Sequence, residues 1–508
     1  MTATAQTPMM SQWQTCKGEA ADALLFFRLG DFYEAFYEDA QVMSKEIGLT
    51  LTARQGIPMC GIPFHTSEGY IDKLIAKGYK VAIAEQTEDL KEGGKGKGIM
   101  KREITRIVTP GTIINSQLLS DKRNNFFVSI AQIGSVLGLG LIDLTTGEFR
   151  ALELEQEQDL LDELVRTRPT ELLVSKRFKE THPLFFKELS HAFPFVLNET
   201  EGLDAKLAGE ALFAHFKVQT LDGFGLKGQT AAIAAAGALL LHLKERLSLP
   251  LDHILEILPE PLSHYMALDR ATLRNLELTE SMSDAHSKHT LLDLLDETAT
   301  PMGARLLCHW IKHPLLSTAE IERRQDAIAE FLSKPIEAKK AKALFDEVRD
   351  LERLMMKISA RYATPRDLLA MGNSLFPIPG IKETLRSFSG EKIQANLDLL
   401  FNAAPLALKI RTALSENPPH RLGEGDIFRD GYHAELDQLR QLSRDSMSWM
   451  AGYQVKLREE TGIKTLKVGY TKAFGYYIEA THAQSNKIPA SFQRRQTLVN
   501  GERFITEE

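Results

Sequence analysis

Phe32 and Glu34 stand two residues apart in the stretch GDFYEAFYE (30–38), which sets four aromatics among three carboxylates. A phenylalanine that projects from its element can enter a stack of bases and kink a duplex from the minor groove. Unstacking costs about a few kcal/mol per step and less where pairing is already defective, so such a wedge senses deformability rather than sequence. A carboxylate beside it repels phosphates unless it hydrogen-bonds a base edge, in protonated form where its pKa is raised. Glu34 is the candidate for that contact. The plainer reading is a helix start, with Asp31 as N-cap and Glu34 completing a capping box. Tyr33, Phe36, Tyr37, Ala40 and Met43 then share one helical face as core.

Two further segments could hold phosphates. Between Lys91 and Arg106 the chain carries Lys91, Lys95, Lys97, Lys101, Arg102 and Arg106 against Glu92 and Glu103. Between Gly462 and Asn500 it carries Lys464, Lys467, Lys472, Lys487, Arg494 and Arg495 against Glu479 alone. Both are local enrichments suited to backbone contact and counterion release, or else solvated loops. The formal charge of −7 over 508 residues excludes a protein that coats polyanions with its whole surface. Asp143, in LGLIDLTTGE, sits where a metal-dependent nuclease of the RNase H type places a carboxylate, but no ordered set of acids accompanies it. The fourteen histidines show no HExxH spacing, and neither GGKGKG nor GIKT matches a phosphate loop ending in GK[ST]. Cys16, Cys60 and Cys308 form no CxxC pair, so neither a disulfide frame nor a zinc site is expected. The residues thus offer no catalytic and no metal site.

The elements that must position these groups follow from periodicity. LLFFRL reads as a strand, Gly30 as a turn, and Phe32 to Glu46 as a helix; LTLTAR is a strand, IPMCGIP a loop, Ser67 to Gly78 a helix and KVAIAEQ a buried strand. From 126 three close strands, a helix, the strand ELLVSK and the Ala/Leu-rich TAAIAAAGALLLHL make a second α/β unit. From 268 to 461 helical periodicity dominates, interrupted at prolines 301, 314, 365, 377 to 379 and 418 to 419, and ends in one long helix over about 432–460. Strands follow, and GERFITEE reads as the beginning of a returning helix. The stripe Leu436, Leu439, Leu442, Met450 and Tyr453 on the long helix asks for a partner, so the chain reads as the front part of a longer protein. No apolar run approaches a membrane span and no signal pattern opens the chain, which is expected to be cytoplasmic.

Residues TPMM (7–10), FFRLGDFYEAFYEDA (26–40), IPMCGIPFH (57–65), VAIAEQ (81–86), RIVTPGT (106–112), DRATLRNLEL (269–278), TPMGARLL (300–307), TLKVGYTKAFGYYIE (465–479) and RRQTLVNGERF (494–504) resemble, in order, the bacterial MutS mismatch-recognition family. The resemblance implies an α/β plus all-α multidomain chain. Its parts are a mismatch-binding domain (1–112), an RNase H-like connector (113–250), a helical core and lever (251–435), the lever end with a small β clamp (436–500) and the start of a returning lever helix (501–508). It implies that Phe32 stacks on the mispaired or unpaired base and Glu34 hydrogen-bonds it. Lys464, Lys467, Lys472, Arg494 and Arg495 would grip the DNA backbone from the clamp, and Lys101, Arg102 and Arg106 from the first domain. Partners implied are duplex DNA with mismatches or small loops, a second copy of the chain and a MutL-type repair protein. ATP and magnesium belong to a family ATPase whose motif this sequence lacks, so no cofactor is expected here. Nucleoid association follows. The rivals are a nuclease using Asp143, a relative that binds branched or undamaged DNA, and a helical scaffold without DNA preference.

Overall fold

The computed structural model describes residues 7–54, 56–86, 100–113, 119–202, 204–249, 251–282, 289–420, 422–423, 425–471, 475–489, 491–498 and 500–506. Two compact units emerge, one of residues 1–411 with 420–422, the other of 412–419 with 423–508.

The first unit opens on helix α1 (Pro8–Glu19), followed by β1 (Leu24–Leu29), β2 (Phe32–Phe36), α2 (Tyr37–Ile47), β3 (Thr52–Arg54), β4 (Ile57–Pro63), α3 (Ser67–Ala76), β5 (Val81–Gln86) and β6 (Arg102–Val108). The strands form one sheet in the order β3-β4-β2-β1-β5-β6. The helix expected from Phe32 is corrected: residues 32–36 are a strand, and the helix begins only at Tyr37. FYEAF satisfies both periods, and pairing decides between them, because β2 hydrogen-bonds β1 on one side and β4 on the other. IPMCGIP is likewise a strand rather than a loop. Gly30 at φ 60° makes the tight turn between β1 and β2, and Asp31 caps no helix. One face of the sheet buries Tyr33 and Ala35 with Met43, Ile71 and Leu74. The other buries Phe27 and Phe36 with Trp13 of α1.

A second sheet holds β7 (Phe127–Ile133), β8 (Val136–Asp143), β9 (Glu148–Leu154), β10 (Glu171–Ser175), β11 (Val196–Thr200) and β12 (Leu258–Pro259), ordered β11-β10-β7-β8-β9-β12. β7, β8 and β9 are antiparallel neighbours, and β10 and β11 run parallel to β7. Helix α4 (Glu157–Thr167) follows β9, and the helix Thr230–Leu241 lies against the opposite face. There Gly138 and Gly140 of β8 let the alanines of that helix approach backbone to backbone.

Between 270 and 413 the described residues are mainly successive helices. Several of the prolines expected to interrupt helices instead begin them: Thr300 caps a helix whose first residue is Pro301, and Thr364 with Asp367 makes a capping box ahead of Pro365. Arg305 holds this array to the preceding loop, donating to both Asp350 oxygens at 2.7 and 2.9 Å and to the Asp121 carbonyl at 2.8 Å.

In the second unit the helix Ala434–Thr461 runs 28 residues, about 42 Å at 1.5 Å per residue. Leu439, Leu442, Met447 and Trp449 lie exposed along it, whereas Tyr453 and Leu457 are buried with Ile478 and Phe504. The sheet they meet has the order β13-β14-β16-β15, from β13 (Lys467–Thr471), β14 (Gly475–Thr481), β15 (Gln493–Thr497) and β16 (Gly501–Ile505). The returning helix expected at 501–508 is therefore corrected. Gly501–Ile505 is an inner strand, because Phe504 pairs opposite Ile478 and closes the small core.

Two partly buried histidines give this fold an acid limit. Burial first, then Lys80 and Arg246, pushes His242 down to about 4; burial first, then His313, takes His309 to about 3. Both stay neutral in the folded chain while an unfolded histidine protonates near 6.5, so this stability is complete above pH 6.5 and declines as pH falls toward the folded values. At about pH 5 each contributes a loss on the order of 2 kcal/mol. The thermal midpoint should drop between pH 7 and 5, and His242→Gln should flatten that drop. An identical pH profile in the variant would contradict the assignment.

Candidate nucleic-acid interface

Side chains alternate along β2. Tyr33 and Ala35 point into the core; Phe32 and Glu34 point to the opposite face, on the part of the sheet that α1 leaves open. Phe32, 47% exposed, pairs with Leu29 of β1 and Pro63 of β4. Its support is stiff: the Arg28 guanidinium stacks 3.6 Å from the Phe64 ring centre, and the Phe64 amide donates to the Asp31 carbonyl at 3.0 Å. Gly61, opposite Glu34 on β4, floors the pair, since a Cβ there would touch Glu34 Cγ at 3.5 Å and Phe32 Cδ1 at 4.0 Å.

Glu34 is mostly enclosed, and its Oε2 is buried without a hydrogen-bond partner; the nearest cation, Arg54, stands at 3.7 Å. Burial raises its pKa, and Arg54 pulls it back only in part. The chemistry on offer is an aromatic face that can stack on a base, beside a carboxyl that can accept from a base edge when ionised and donate to a ring nitrogen or carbonyl when protonated.

The basic residues divide. Arg102 is corrected as a phosphate contact: it is buried, donates to the carbonyls of Arg28 at 2.6 Å and Met100 at 2.9 Å, and packs on Phe27. Arg106 pairs with Glu68 at 3.2 Å and faces the Tyr362 ring, and Lys101 pairs with Glu103. Lys91, Lys95 and Lys97 lie outside the described residues.

In the second unit Lys464, Lys467 and Arg495 are exposed, and Lys472 lies outside the described residues. Arg494 is bound to Glu502 at 3.0 Å, a carboxylate just beyond the segment whose charge was counted. Lys467 and Arg494 stand on opposite edge strands and, by register, on opposite faces, so the structure does not bring these cations to one point. It does expose a cross-strand aromatic pair that the charge pattern missed, Tyr470 opposite Tyr476 with ring centres 5.0 Å apart. The signal in the sequence was an aromatic on each side of the TKAFG segment.

Asp143 is fully buried. Its Oδ1 accepts from Thr145 N and Oγ1 at 2.9 and 2.7 Å, its Oδ2 from Asn125 N and Asn124 Nδ2 at 3.1 and 3.0 Å. Four donors consume the lone pairs a metal would need, so the carboxylate organises the β8–β9 turn. One group of possible metal ligands escaped the sequence reading. Glu260, His309 and His313 bring donor atoms within 4.8 Å of one another, and the i, i+4 spacing of the two histidines was the available sign. Arg150 lies 2.8 Å from both Glu260 oxygens, a fixed positive charge where a cation would sit, so the group is an internal ion network.

Three family models match the chain in order: MutS domain I over residues 7–117, MutS domain II over 125–255 and MutS domain III over 271–491. The chain is 55% identical over 504 residues to the DNA mismatch repair protein MutS of Protochlamydia amoebophila, covering 99% of this chain and 58% of that protein. It is 41% identical over 512 residues to the protein of the same name from Lachnoclostridium phytofermentans, covering 99% and 54%. For Chlamydia muridarum the identity is 40% over 507 residues, covering 99% and 61%. The chain thus spans between 54% and 61% of the length of these relatives.

Proposed function

The chain belongs to the MutS family, and on that premise we propose that it recognises mispaired or unpaired bases in duplex DNA, with Phe32 as wedge and Glu34 as base contact. The observation that carries this reading is the pairing of a half-exposed phenylalanine with a buried carboxyl oxygen that accepts no hydrogen bond, on the open part of one sheet. An unsatisfied buried polar atom is costly unless a ligand meets it.

On this reading residues 1–112 form the mismatch-binding domain, and 113–250 a connector whose strand order supports an RNase H-like fold. Residues 251–435 form the core and lever, and the strands after the long helix form a clamp in which Lys464, Lys467, Lys472 and Arg495 hold the DNA backbone, while Arg494 is engaged by Glu502. Lys101 and Arg106 are left as outlying backbone contacts. We assign catalysis and cofactors to none of these residues; ATP, magnesium, dimer formation and a MutL-type partner belong to the family reading, as does a cytoplasmic, nucleoid-associated location. Among the described residues no helix is long and apolar enough to cross a membrane. The enclosed Asp143 disfavours the nuclease alternative.

The test is binding of the purified 508-residue chain to a duplex with a G·T pair or a one-base bulge against its matched parent, at near-physiological salt. Tighter binding to the defective duplex is expected. Equal binding to both, lost as salt rises, would leave only backbone electrostatics and sink the reading.

A further inference from the structure

Where the second sheet meets the helical array, a cavity of about 250 Å³ carries seven lysines and arginines in its wall. Four have carboxylates behind them: Lys122 has Asp296 at 2.6 Å, Arg150 has Glu260 at 2.8 Å and Glu148 at 2.5 Å, Arg166 has Glu163 at 2.8 Å, and Arg305 has Asp350 and Glu352 at 2.7 and 2.6 Å. The other three, Arg123, Arg168 and Lys312, share one acid. Glu280 is 3.9 Å from Arg123 and in direct contact with Arg168. The Lys312 ammonium donates to the Arg166 carbonyl at 2.8 Å and has no carboxylate within ion-pair distance among the described residues. Burial first, then the charges of Arg168 and Arg123, pushes its pKa down. Arg168 itself sits in the left-handed region at φ 50°, a C-cap position that glycine fills without strain.

Three cations share one carboxylate, and the carboxylates of the other four stand behind them, so the cavity wall turns cationic groups toward the space and only Glu280 among acids. Charge of that density in a confined site calls for an anion, and guanidinium forks suit tetrahedral phosphate oxygens. We propose that this cavity binds a phosphate dianion, held by Lys312, Arg123 and Arg168, either free or as the terminal phosphate of a small monoester. A phosphate monoester carries close to two charges at neutral pH and several acceptor oxygens, enough to engage all three of these cations at once. A DNA backbone phosphate carries one, and a duplex cannot enter a space of this size. The site lies apart from Phe32 and Glu34, so it stands or falls independently of mismatch recognition.

Thermal melts of the whole chain test it, in buffer with added inorganic phosphate, with a nucleoside 5′-monophosphate, or with chloride at matched ionic strength. Phosphate is expected to raise the midpoint progressively, as a ligand of the folded state does. Lys312→Met should raise the midpoint without phosphate, because it removes an uncompensated buried charge, and weaken the apparent phosphate affinity roughly tenfold or more. Lys206→Met, a change at an exposed lysine outside this cavity, should keep the full phosphate response. A response to both phosphates identifies the shared dianion, and a response to the monophosphate alone identifies a monoester. An equal response to chloride, or an undiminished phosphate response in Lys312→Met, would overturn the proposal. So would a lowered midpoint in Lys312→Met together with no phosphate effect on the unaltered chain, which would mark Lys312 as a plain cap on the end of α4.

Discussion

Phe32→Ala is expected to erase the preference for a defective duplex while leaving weak, salt-sensitive binding to any duplex. Stacking of an aromatic on a base contributes about 1–3 kcal/mol, so the defective duplex should bind roughly ten- to a hundredfold more weakly. Phe32 is the residue to change because it is half-exposed and sits at the end of β2 beside the turn, so its loss opens no internal cavity. The fold should melt as before, which separates recognition from stability. Glu34→Gln sharpens the reading. An amide keeps a donor where the carboxyl must hold a proton, so this variant should retain discrimination and lose its dependence on pH. Discrimination that survives in Phe32→Ala would remove the wedge from the mechanism.

Gly138→Ala should destabilise the second α/β unit more than any surface change. A Cβ at Gly138 would lie 1.9 Å from the Ala231 carbonyl oxygen and 2.7 Å from the Ala232 nitrogen, atoms of a helix backbone that cannot rotate aside. The same close approach lets Glu153, the neighbour of Gly138 across the ladder, accept from the amides of Ala231 and Ala232 at 2.6 and 3.3 Å and cap that helix. Overpacking against backbone typically costs about 1–3 kcal/mol, and here the cap is strained as well, so a loss of roughly 3 kcal/mol or more is expected. Urea unfolding followed by limited proteolysis should show residues 126–260 opening earlier than in the unaltered chain. Gly134→Ala is the control: its Cβ meets nothing, and only the φ of 61° is strained, for about 1 kcal/mol. Equal urea midpoints for the unaltered chain and Gly138→Ala would mean that the helix rides farther from β8 than described.

Much of the architecture was legible in the residues. The strands of the second sheet, the helical run and the single long helix each carry one dominant period over enough residues to exclude the alternative. Ambiguity gathered where a segment satisfied two rules at once. Asp31 and Glu34 fit a capping box as well as FYEAF fits a strand, and the flanking strands β1 and β4 decided in favour of the strand. GERF was short enough to read as a helix start until its pairing opposite β14 and β15 made it the inner strand of a sheet.

Charge was the least legible quantity. A count of basic residues could not distinguish Arg102, enclosed among carbonyls, from Lys464 in solvent, nor see that Glu502 neutralises Arg494 across a ladder. The sequence by itself determined the family and singled out Phe32 and Glu34 as the pair to test, because these rest on local pattern and on residue identity. The tertiary structure alone decided which carboxylates are consumed, as at Asp143, and which oxygen is left unmet, as at Glu34. It also decided where cations outnumber their partners, as around Lys312. Pairing and desolvation depend on distances between residues far apart in the chain, and only folding sets those distances.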